Sequence, residues 1–293
     1  MKVWQEISAQ IATTTHSQFS IEASVLLGGG CINRAYCVSG NNQRYFLKLN
    51  TSDSFAMFGA EAAGLMEIFH SQTLLVPEPI CYGQNAEFAW LVLEYISLGS
   101  GNRDSLTNLG LQLAAMHRTT SKQFGWIRDN TIGKTPQINT PSANWLEFWR
   151  TQRLGYQLNL AKVNGFGGKL QILGERLLGD LDKLLTSSPT PSLLHGDLWG
   201  GNYVFDTMNN PVVFDPAVYY GDREADIAMT ELFGGFPADF YSAYRHDYPL
   251  DSGYNVRRII YNLYHILNHL NLFGGSYGHQ AEQMMDILLA EIR

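Results

Sequence analysis

Apolar residues recur along the chain at intervals that predict both helices and strands. In residues 1 to 20 they lie three and four apart, which predicts a short helix with a threonine-rich end. Residues 21 to 50 instead contain strand-like runs separated by glycine and asparagine turns. A helix is predicted over residues 55 to 70, followed by a buried strand in the continuous apolar run of residues 89 to 96. This first third predicts an antiparallel sheet with one helix.

Helical periodicity dominates after the polar, glycine-rich linker SLGSGNRDS. Helices are predicted from residue 106 onward, in pairs over residues 145 to 186 and 255 to 292, while residues 121 to 144 have the composition of a loop. The fold class is therefore α+β. We expect an amino-terminal lobe of residues 1–97, built on a small five-stranded sheet, and a larger helical lobe of residues 98–293.

Composition narrows the function classes. The 293 residues are 45% hydrophobic, carry a formal charge of -7 and have 20 scattered Lys and Arg residues, which argues against nucleic acid as a partner. No run approaches the length of a membrane span and no cationic leader precedes an apolar stretch, so we expect a cytoplasmic protein without a membrane partner. Three cysteines without CxxC spacing indicate thiols in a reducing compartment.

The segment LHGDLWGGN, residues 194 to 202, concentrates polar groups among glycines. Asp197 is a plausible general base, and Asn202 carries an amide oxygen that suits a hard cation such as Mg²⁺. Asp215, in VVFDPA, supplies a second carboxylate. The intervening runs YVFD and PVVFD predict a hairpin that brings Asn202 and Asp215 towards each other. This order of groups is the one that protein-kinase-like enzymes use for phosphoryl transfer.

Such a site also needs groups that hold a nucleotide. Lys48 lies in the apolar run YFLKLN, and Glu61 lies on the predicted helix that follows, where it can pair with this lysine. Burying Lys48 without a partner would be costly, although a solvent-facing Glu61 is the simpler alternative. The turn formed by Gly28, Gly29 and Gly30 has no Cβ atoms, so its backbone amides can approach phosphate closely.

The run LEYI offers a hinge between the lobes. The backbone of Glu94, Tyr95 and Ile96 could bind adenine there. The triple glycine and the strand lysine are weak indicators by themselves. The motif HGDLxxxN followed by an apolar strand ending in aspartate is a strong one, and the order of all these motifs along the chain strengthens it.

Together these motifs resemble the fructosamine kinase (ketosamine-3-kinase) family, whose relatives include the aminoglycoside and choline kinases within the protein-kinase-like fold. The resemblance covers nearly the whole chain. Its most specific segments are TPQINTPSANWLEFWRTQRL, LLHGDLWGGN and FDPAVYYGDREADIAMTELFGGF. Two features differ from ordinary protein kinases: Asp215 is followed by Pro-Ala, and the chain has no Ala-Pro-Glu segment, so switching by phosphorylation is not expected.

The resemblance implies a two-lobed fold and ATP-dependent phosphorylation of the third-carbon hydroxyl of a ketosamine, free or protein-bound, which promotes deglycation. It implies that Asp197 receives or orients the hydroxyl proton, that Asn202 and Asp215 bind Mg²⁺, and that Lys48 with Glu61 positions the phosphates. The alternative is a kinase of aminoglycosides, choline or another small alcohol, because these relatives share the HGDLxxxN motif. A nucleotide-binding scaffold without catalysis is the alternative from another class.

Several residues keep two interpretations. His195 is interpreted as bracing the loop rather than as a base, and Asp226 as structural support for it, within a charged run that could equally be a solvated helix start. Trp199 could form a wall of the acceptor pocket or pack in the core. Cys31, in the glycine-rich turn, could be a small buried residue or an oxidisable thiol that links two chains, so the protein is expected to be a monomer or a redox-sensitive dimer.

Overall fold

A computed structural model describes residues 2–28 and 33–292 of the chain. Within it the chain forms two compact units. The first comprises Met1–Ser105 with Tyr203–Pro216, and the second comprises Leu106–Asn202 with Ala217–Arg293. The lobe boundary between residues 97 and 98 stays a prediction. No helix among the described residues is long and apolar enough to cross a membrane.

The helices and strands follow one another along the chain with few long loops. The helices are α1 Lys2–Thr15, α2 Phe55–Ser71, α3 Arg103–Met116, α4 Trp145–Trp149, α5 Tyr156–Val163, α6 Lys169–Gly179, α7 Glu224–Leu232, α8 Ala238–Asp247, α9 Tyr254–Phe273 and α10 Tyr277–Glu291. The strands are β1 Ala23–Leu27, β2 Arg34–Gly40, β3 Gln43–Thr51, β4 Pro79–Gln84, β5 Phe88–Glu94, β6 Leu98–Gly99, β7 Asn130–Ile132, β8 Thr135–Gln137, β9 Ser192–Leu194, β10 Tyr203–Asp206, β11 Pro211–Val213 and β12 Tyr219–Gly221.

The first unit contains the predicted five-stranded antiparallel sheet, in the order β1-β2-β3-β5-β4. Side chains alternate between the two faces of a strand, so Leu47 and Leu49 of β3 lie on one face and Lys48 on the other. The face with Leu47 and Leu49 packs against α1 through Ile7 and Ile11, which are fully buried. The apolar residues of α1 therefore recur at helical spacing because they pack against one face of the sheet.

Helix α2 brings an acidic residue onto its buried side. Phe58, Leu65 and Ile68 are fully buried, and Glu61 falls at the helical spacing that places it on their face. Glu61 therefore points inward. The solvent-facing alternative for Glu61 is wrong, because its side chain is only 11% exposed.

The runs YVFD and PVVFD form the antiparallel pair β10 and β11, and β6 joins them on the other side of β10. The chain reverses at Asn209, whose φ of 66° lies in the left-handed region that asparagine tolerates better than most residues. The predicted hairpin is present. It ends immediately before Phe214 and Asp215.

The second unit is mainly helical, with α9 at its centre. Helix α9 packs against α7, α10 and α5, and most of its residues are buried, including polar ones. Two short antiparallel pairs, β7 with β8 and β9 with β12, complete the unit. Residues 121 to 144, predicted to be a loop, contain the β7-β8 pair, and helices α7 and α8 lie outside the two predicted pairs of helices.

The charged run at the start of α7 is buried. Arg257 donates from Nε and Nη2 to Glu224 Oε2 and Oε1, at 2.6 and 2.9 Å. The Tyr261 hydroxyl donates to Asp222 Oδ2 at 2.6 Å. Burial, together with the nearby Glu224 carboxylate, raises the pKa of Asp222 to about 6. The interpretation of this run as a solvated helix start is wrong, because its charges are paired inside the unit.

Replacing Arg257 by leucine tests the buried pair. The change leaves the Glu224 carboxylate buried without its partner, so we expect the free energy of unfolding to fall by about 3 kcal/mol. Urea unfolding at pH 7 measures the change. Arg258→Leu is the matched control, because Arg258 pairs with Glu231 at 2.6 Å but is 41% exposed, and its loss should cost less than about 1 kcal/mol. Equal losses in the two variants would contradict the prediction.

Candidate active site

The HGD segment begins where β9 ends, and the carboxylate of Asp226 holds its backbone. The amide N–H of His195 donates to Asp226 Oδ2 at 2.7 Å, and that of Gly196 donates to Asp226 Oδ1 at 2.8 Å. Asp226 is almost fully buried in α7. Burial raises its pKa, but hydrogen bonds from His117 and from the loop outweigh this effect and lower it, so Asp226 is ionised at pH 7. Asp226 therefore supports the loop, as its structural interpretation predicted.

Gly196 occupies a position that no other residue can take without strain. Its φ is 81°, and a Cβ built on it would lie 2.1 Å from the carbonyl oxygen of Ala217. The amide of Ala217 donates to the carbonyl of His195 at 2.8 Å, so the two backbone segments touch directly. Glycine is needed here both for its backbone conformation and for this close approach.

Asp197 lies half-buried next to two groups of its own loop. Its amide N–H donates to His195 Nδ1 at 3.3 Å, so that ring nitrogen carries no proton. His195 is fully buried and braces the loop, which agrees with its structural interpretation. The Asn202 Nδ2 atom donates to the Asp197 carbonyl at 2.9 Å and to Asp197 Oδ2 at 3.3 Å. These bonds use the nitrogen of the Asn202 amide and leave its oxygen as a donor for a cation.

Lys48 lies between two carboxylates in the first unit. Its Nζ atom donates to Glu61 Oε1 at 2.6 Å and to Asp215 Oδ1. Burial alone lowers the pKa of Lys48, but the Asp215 and Glu61 carboxylates outweigh it and raise that pKa above its usual value. Lys48 is therefore charged at pH 7. The structure brings together these three predicted residues, which are distant in sequence.

Asp215 follows β11 in an unusual backbone conformation. Its φ is 57°, in the left-handed region that aspartate adopts more readily than most residues. Its side chain is 43% exposed despite its bond to Lys48. Residues in sparsely populated conformations cluster at functional sites, and an exposed, oriented carboxylate suits metal binding.

The remaining nucleotide-binding predictions concern the glycine turn and the hinge. Gly28 is exposed, and no atom lies within 4 Å of the position of a Cβ on it. Gly29, Gly30 and Cys31 lie outside the described residues. Glu94, Tyr95 and Ile96 line a pocket of about 220 Å³ within the first unit, whose other walls include Val76 and Val212. Neither Lys48 nor Asp215 lines this pocket.

Trp199 is 40% exposed on the loop, and its ring stands edge-on to that of Phe233, with centroids 6.4 Å apart. The Trp199 ring also covers Gly201, where a Cβ would lie 2.4 Å from it. Core packing is therefore the wrong alternative for Trp199. Phe233 was not predicted as a site residue, although it lies in the specific segment READIAMTELFGGF.

His117 is a second residue that sequence analysis missed. It follows α3, is fully buried, and its Nε2 atom lies 3.2 Å from Asp226 Oδ2. A single histidine at the end of an apolar helix has no spacing that marks it. Only the tertiary structure brings it to the carboxylate that supports the loop.

Known proteins resemble this chain over almost its whole length. The sequence profile described as fructosamine kinase matches residues 3–291. The chain belongs to the fructosamine kinase family. It is 50% identical over 287 residues to a "Probable ketoamine kinase" of Synechocystis, covering 96% of this chain and 95% of that protein. It is 42% identical over 271 residues to the "Protein-ribulosamine 3-kinase, chloroplastic" of Arabidopsis thaliana, covering 91% and 82%.

Solved structures of the fructosamine kinase family and of its relatives share the fold. A "Putative fructosamine-3-kinase" from Haemophilus somnus matches with a TM-score of 0.89 at 30% identity, covering 98% of this chain and 97% of that one. A choline kinase from Streptococcus pneumoniae matches with a TM-score of 0.67 at 14% identity, covering 99% and 100%, and this likeness shows the fold alone. The predicted α+β, protein-kinase-like fold and the predicted kinase class are confirmed.

Replacing Gly196 by alanine tests the close approach within the loop. The added Cβ meets the Ala217 carbonyl, so the loop must shift, and we expect the rate of ADP formation to fall about 100-fold. Gly200→Ala is the matched control in the same loop, because no atom lies within 4 Å of its Cβ position. Its rate should stay within about twofold of wild type. A Gly196→Ala enzyme as active as Gly200→Ala would contradict this account.

Proposed function

We propose that this protein transfers the γ-phosphoryl group of ATP to the 3-hydroxyl of a ketosamine. The observation that carries the proposal is the bonding of Lys48 to both Glu61 and Asp215 in a chain of the fructosamine kinase family. The relatives named as ketoamine kinase and ribulosamine 3-kinase support the acceptor class. An aminoglycoside or choline acceptor has weaker support, because those structures resemble this chain in fold alone.

Lys48 is the proposed ligand of the nucleotide phosphates. Its positive charge is held by Glu61 from the side of α2, which fixes the position of the ammonium group. Gly28, Gly29 and Gly30 would donate backbone amides to the phosphates, and the backbone of the hinge from Glu94 to Ile96 would bind the adenine. The two lobes would then be residues 1–97 and 98–293, with the nucleotide bound by the first.

Asn202 and Asp215 are the proposed ligands of Mg²⁺. Both supply oxygen atoms, the donors that this hard cation prefers, and the bonds that Asn202 makes leave its amide oxygen available. When bound, the ion would neutralise charge on the phosphates. Asp215 is the more exposed of the two carboxylates bound to Lys48, which suits it to hold such an ion.

Asp197 is the proposed catalytic base. Its carboxylate would accept or orient the proton of the acceptor hydroxyl while that oxygen attacks the γ-phosphorus in line. Asn202 donates to the Asp197 carboxylate, and His195 accepts from the Asp197 backbone amide and braces the loop at that point. Positioning and charge neutralisation suffice for this transfer, so no covalent enzyme intermediate is needed.

Trp199 and Phe233 are the proposed wall of the acceptor site. Trp199 lies two residues after Asp197 and contacts Phe233 within the same unit, and an aromatic face suits the apolar side of a sugar or a protonated amine. Phosphorylation at the third carbon would destabilise the adduct and promote deglycation of an amine or a protein. A cytoplasmic location and a dimer linked through Cys31 stay predictions.

A panel of acceptors tests the proposed function. With Mg²⁺ and ATP, we expect ribulosamines, erythrulosamines or fructosamines to be phosphorylated, and aminoglycosides and choline to be inactive. Asp197→Ala is the control for this site, and it should lower kcat by about 100-fold or more while ADP still binds. Failure of every ketosamine would overturn the acceptor class, and a largely active Asp197→Ala enzyme would overturn the assignment of the base.

Trp199→Ala tests the acceptor wall. Loss of the ring removes aromatic contact with the acceptor, so we expect the KM for the ketosamine to rise about tenfold. The KM for ATP should stay within about twofold, because the proposed nucleotide ligands are elsewhere. Met208→Ala is the control, because Met208 is an exposed apolar residue outside the loop. Leu198, next to Trp199, is fully buried and therefore does not match it. An unchanged KM for the ketosamine would contradict the role of Trp199.

A further inference from the structure

Behind the catalytic loop, a line of polar side chains runs through the interior of the second unit. Arg223 Nη1 lies 3.1 Å from the hydroxyl of Tyr244, and that hydroxyl lies 2.8 Å from His117 Nδ1. The Nε2 atom of His117 lies 3.2 Å from Asp226 Oδ2. Tyr244 and His117 are fully buried, and Arg223 and Asp226 are nearly so. The line therefore ends on the carboxylate that binds the loop amides.

Arg223 determines the direction of the first hydrogen bond in this line. A guanidinium group has only donors, so the Tyr244 oxygen accepts from Arg223. The single hydroxyl proton of Tyr244 is then free to point at His117 Nδ1, which accepts it when that nitrogen carries no proton. Arg223 is held in place by the carbonyls of Tyr248 and Pro249, at 3.1 and 2.5 Å, and by the ring of Tyr248.

The opposite end determines the tautomer of His117. Asp226 is an ionised carboxylate and can only accept, so His117 Nε2 must carry a proton. Burial lowers the pKa of His117, which keeps the ring neutral with its one proton on Nε2. In this tautomer Nε2 donates to Asp226 and Nδ1 accepts from Tyr244, which agrees with the bond from Arg223 to the Tyr244 oxygen.

We propose that Arg223, Tyr244 and His117 are positioning residues for phosphoryl transfer, because together they orient the Asp226 carboxylate that holds the backbone of His195 and Gly196. Asp226 Oδ2 accepts from both His117 and the His195 amide, while Oδ1 accepts from Gly196. Three donors from two directions prevent rotation of this carboxylate. The backbone that precedes Asp197 is held in the same way.

The relay, meaning the line from Arg223 through Tyr244 and His117 to Asp226, acts on the reaction only through the loop. No member of the relay belongs to the loop itself. Loss of one of its hydrogen bonds should therefore affect the chemical step more than the binding of either substrate. The expected kinetic effect rests on the proposed function, in which Asp197 is the catalytic base. The tautomer of His117 does not depend on that function.

Tyr244→Phe removes one hydroxyl from the relay and keeps the ring. We expect kcat to fall about fivefold, with the KM values for ATP and ketosamine within about twofold of wild type. Tyr241→Phe is the matched control on the same helix, because the Tyr241 hydroxyl makes two hydrogen bonds, to Phe236 and Thr230, outside the relay. A Tyr244→Phe enzyme with wild-type kcat, or a fall no larger than that of Tyr241→Phe, would overturn the proposal.

Two substitutions at His117 separate positioning from packing. Glutamine can donate to Asp226 and accept from Tyr244 in the same order as the histidine tautomer, so His117→Gln should keep kcat within about threefold. His117→Leu fills the space without either bond and should lose about tenfold or more. Equal kcat values in these two variants would overturn the positioning role.

Nitrogen-15 NMR of the histidine-labelled wild-type protein tests the tautomer without any turnover. The His117 signals are those absent from His117→Gln. We expect a protonated Nε2 and an unprotonated Nδ1 at pH 7. An imidazolium or a protonated Nδ1 would overturn the relay. Failure of all acceptors to react, with this tautomer present, would instead count against the proposed function alone.

Discussion

The buried carboxylate of Asp226 is the constraint on which the catalytic loop depends. A charge removed from water is costly unless donors surround it, and Asp226 meets this requirement with two loop amides and one histidine. The loop is therefore held by its backbone, which leaves the side chains of Asp197 and Asn202 directed by their own contacts. Gly196 completes the arrangement because only glycine permits the contact with Ala217.

The first unit also contains a buried charge that needs compensation, here the cation of Lys48. Lys48 is buried on the sheet face opposite α1, and two carboxylates compensate the loss of water around its ammonium group. Strand alternation supplies one side of this arrangement and helical spacing on α2 supplies the other. Asp215 is the more exposed of the two carboxylates, with 43% of its side chain accessible against 11% for Glu61.

The alternative interpretations that the structure overturns share a physical reason. A run of charged residues most often faces solvent, and the start of α7 has the composition of such a run. Here Glu224 and Asp222 are buried because Arg257 and Tyr261, more than thirty residues later, supply a counter-charge and a donor. No local pattern reveals a partner at that distance. The same limit explains why His117 and Phe233 were missed.

The sequence by itself determined the elements of the first unit, the hairpin before Asp215, the loop motif with its glycines and the family. These follow from local spacing and from motifs whose residues are close together in the chain. Only the tertiary structure decided which charges are buried, that Lys48 binds two carboxylates, and that Asp226 receives the loop amides together with His117. The free energy of a charge depends on the groups that surround it in space, and those groups come from distant parts of the chain.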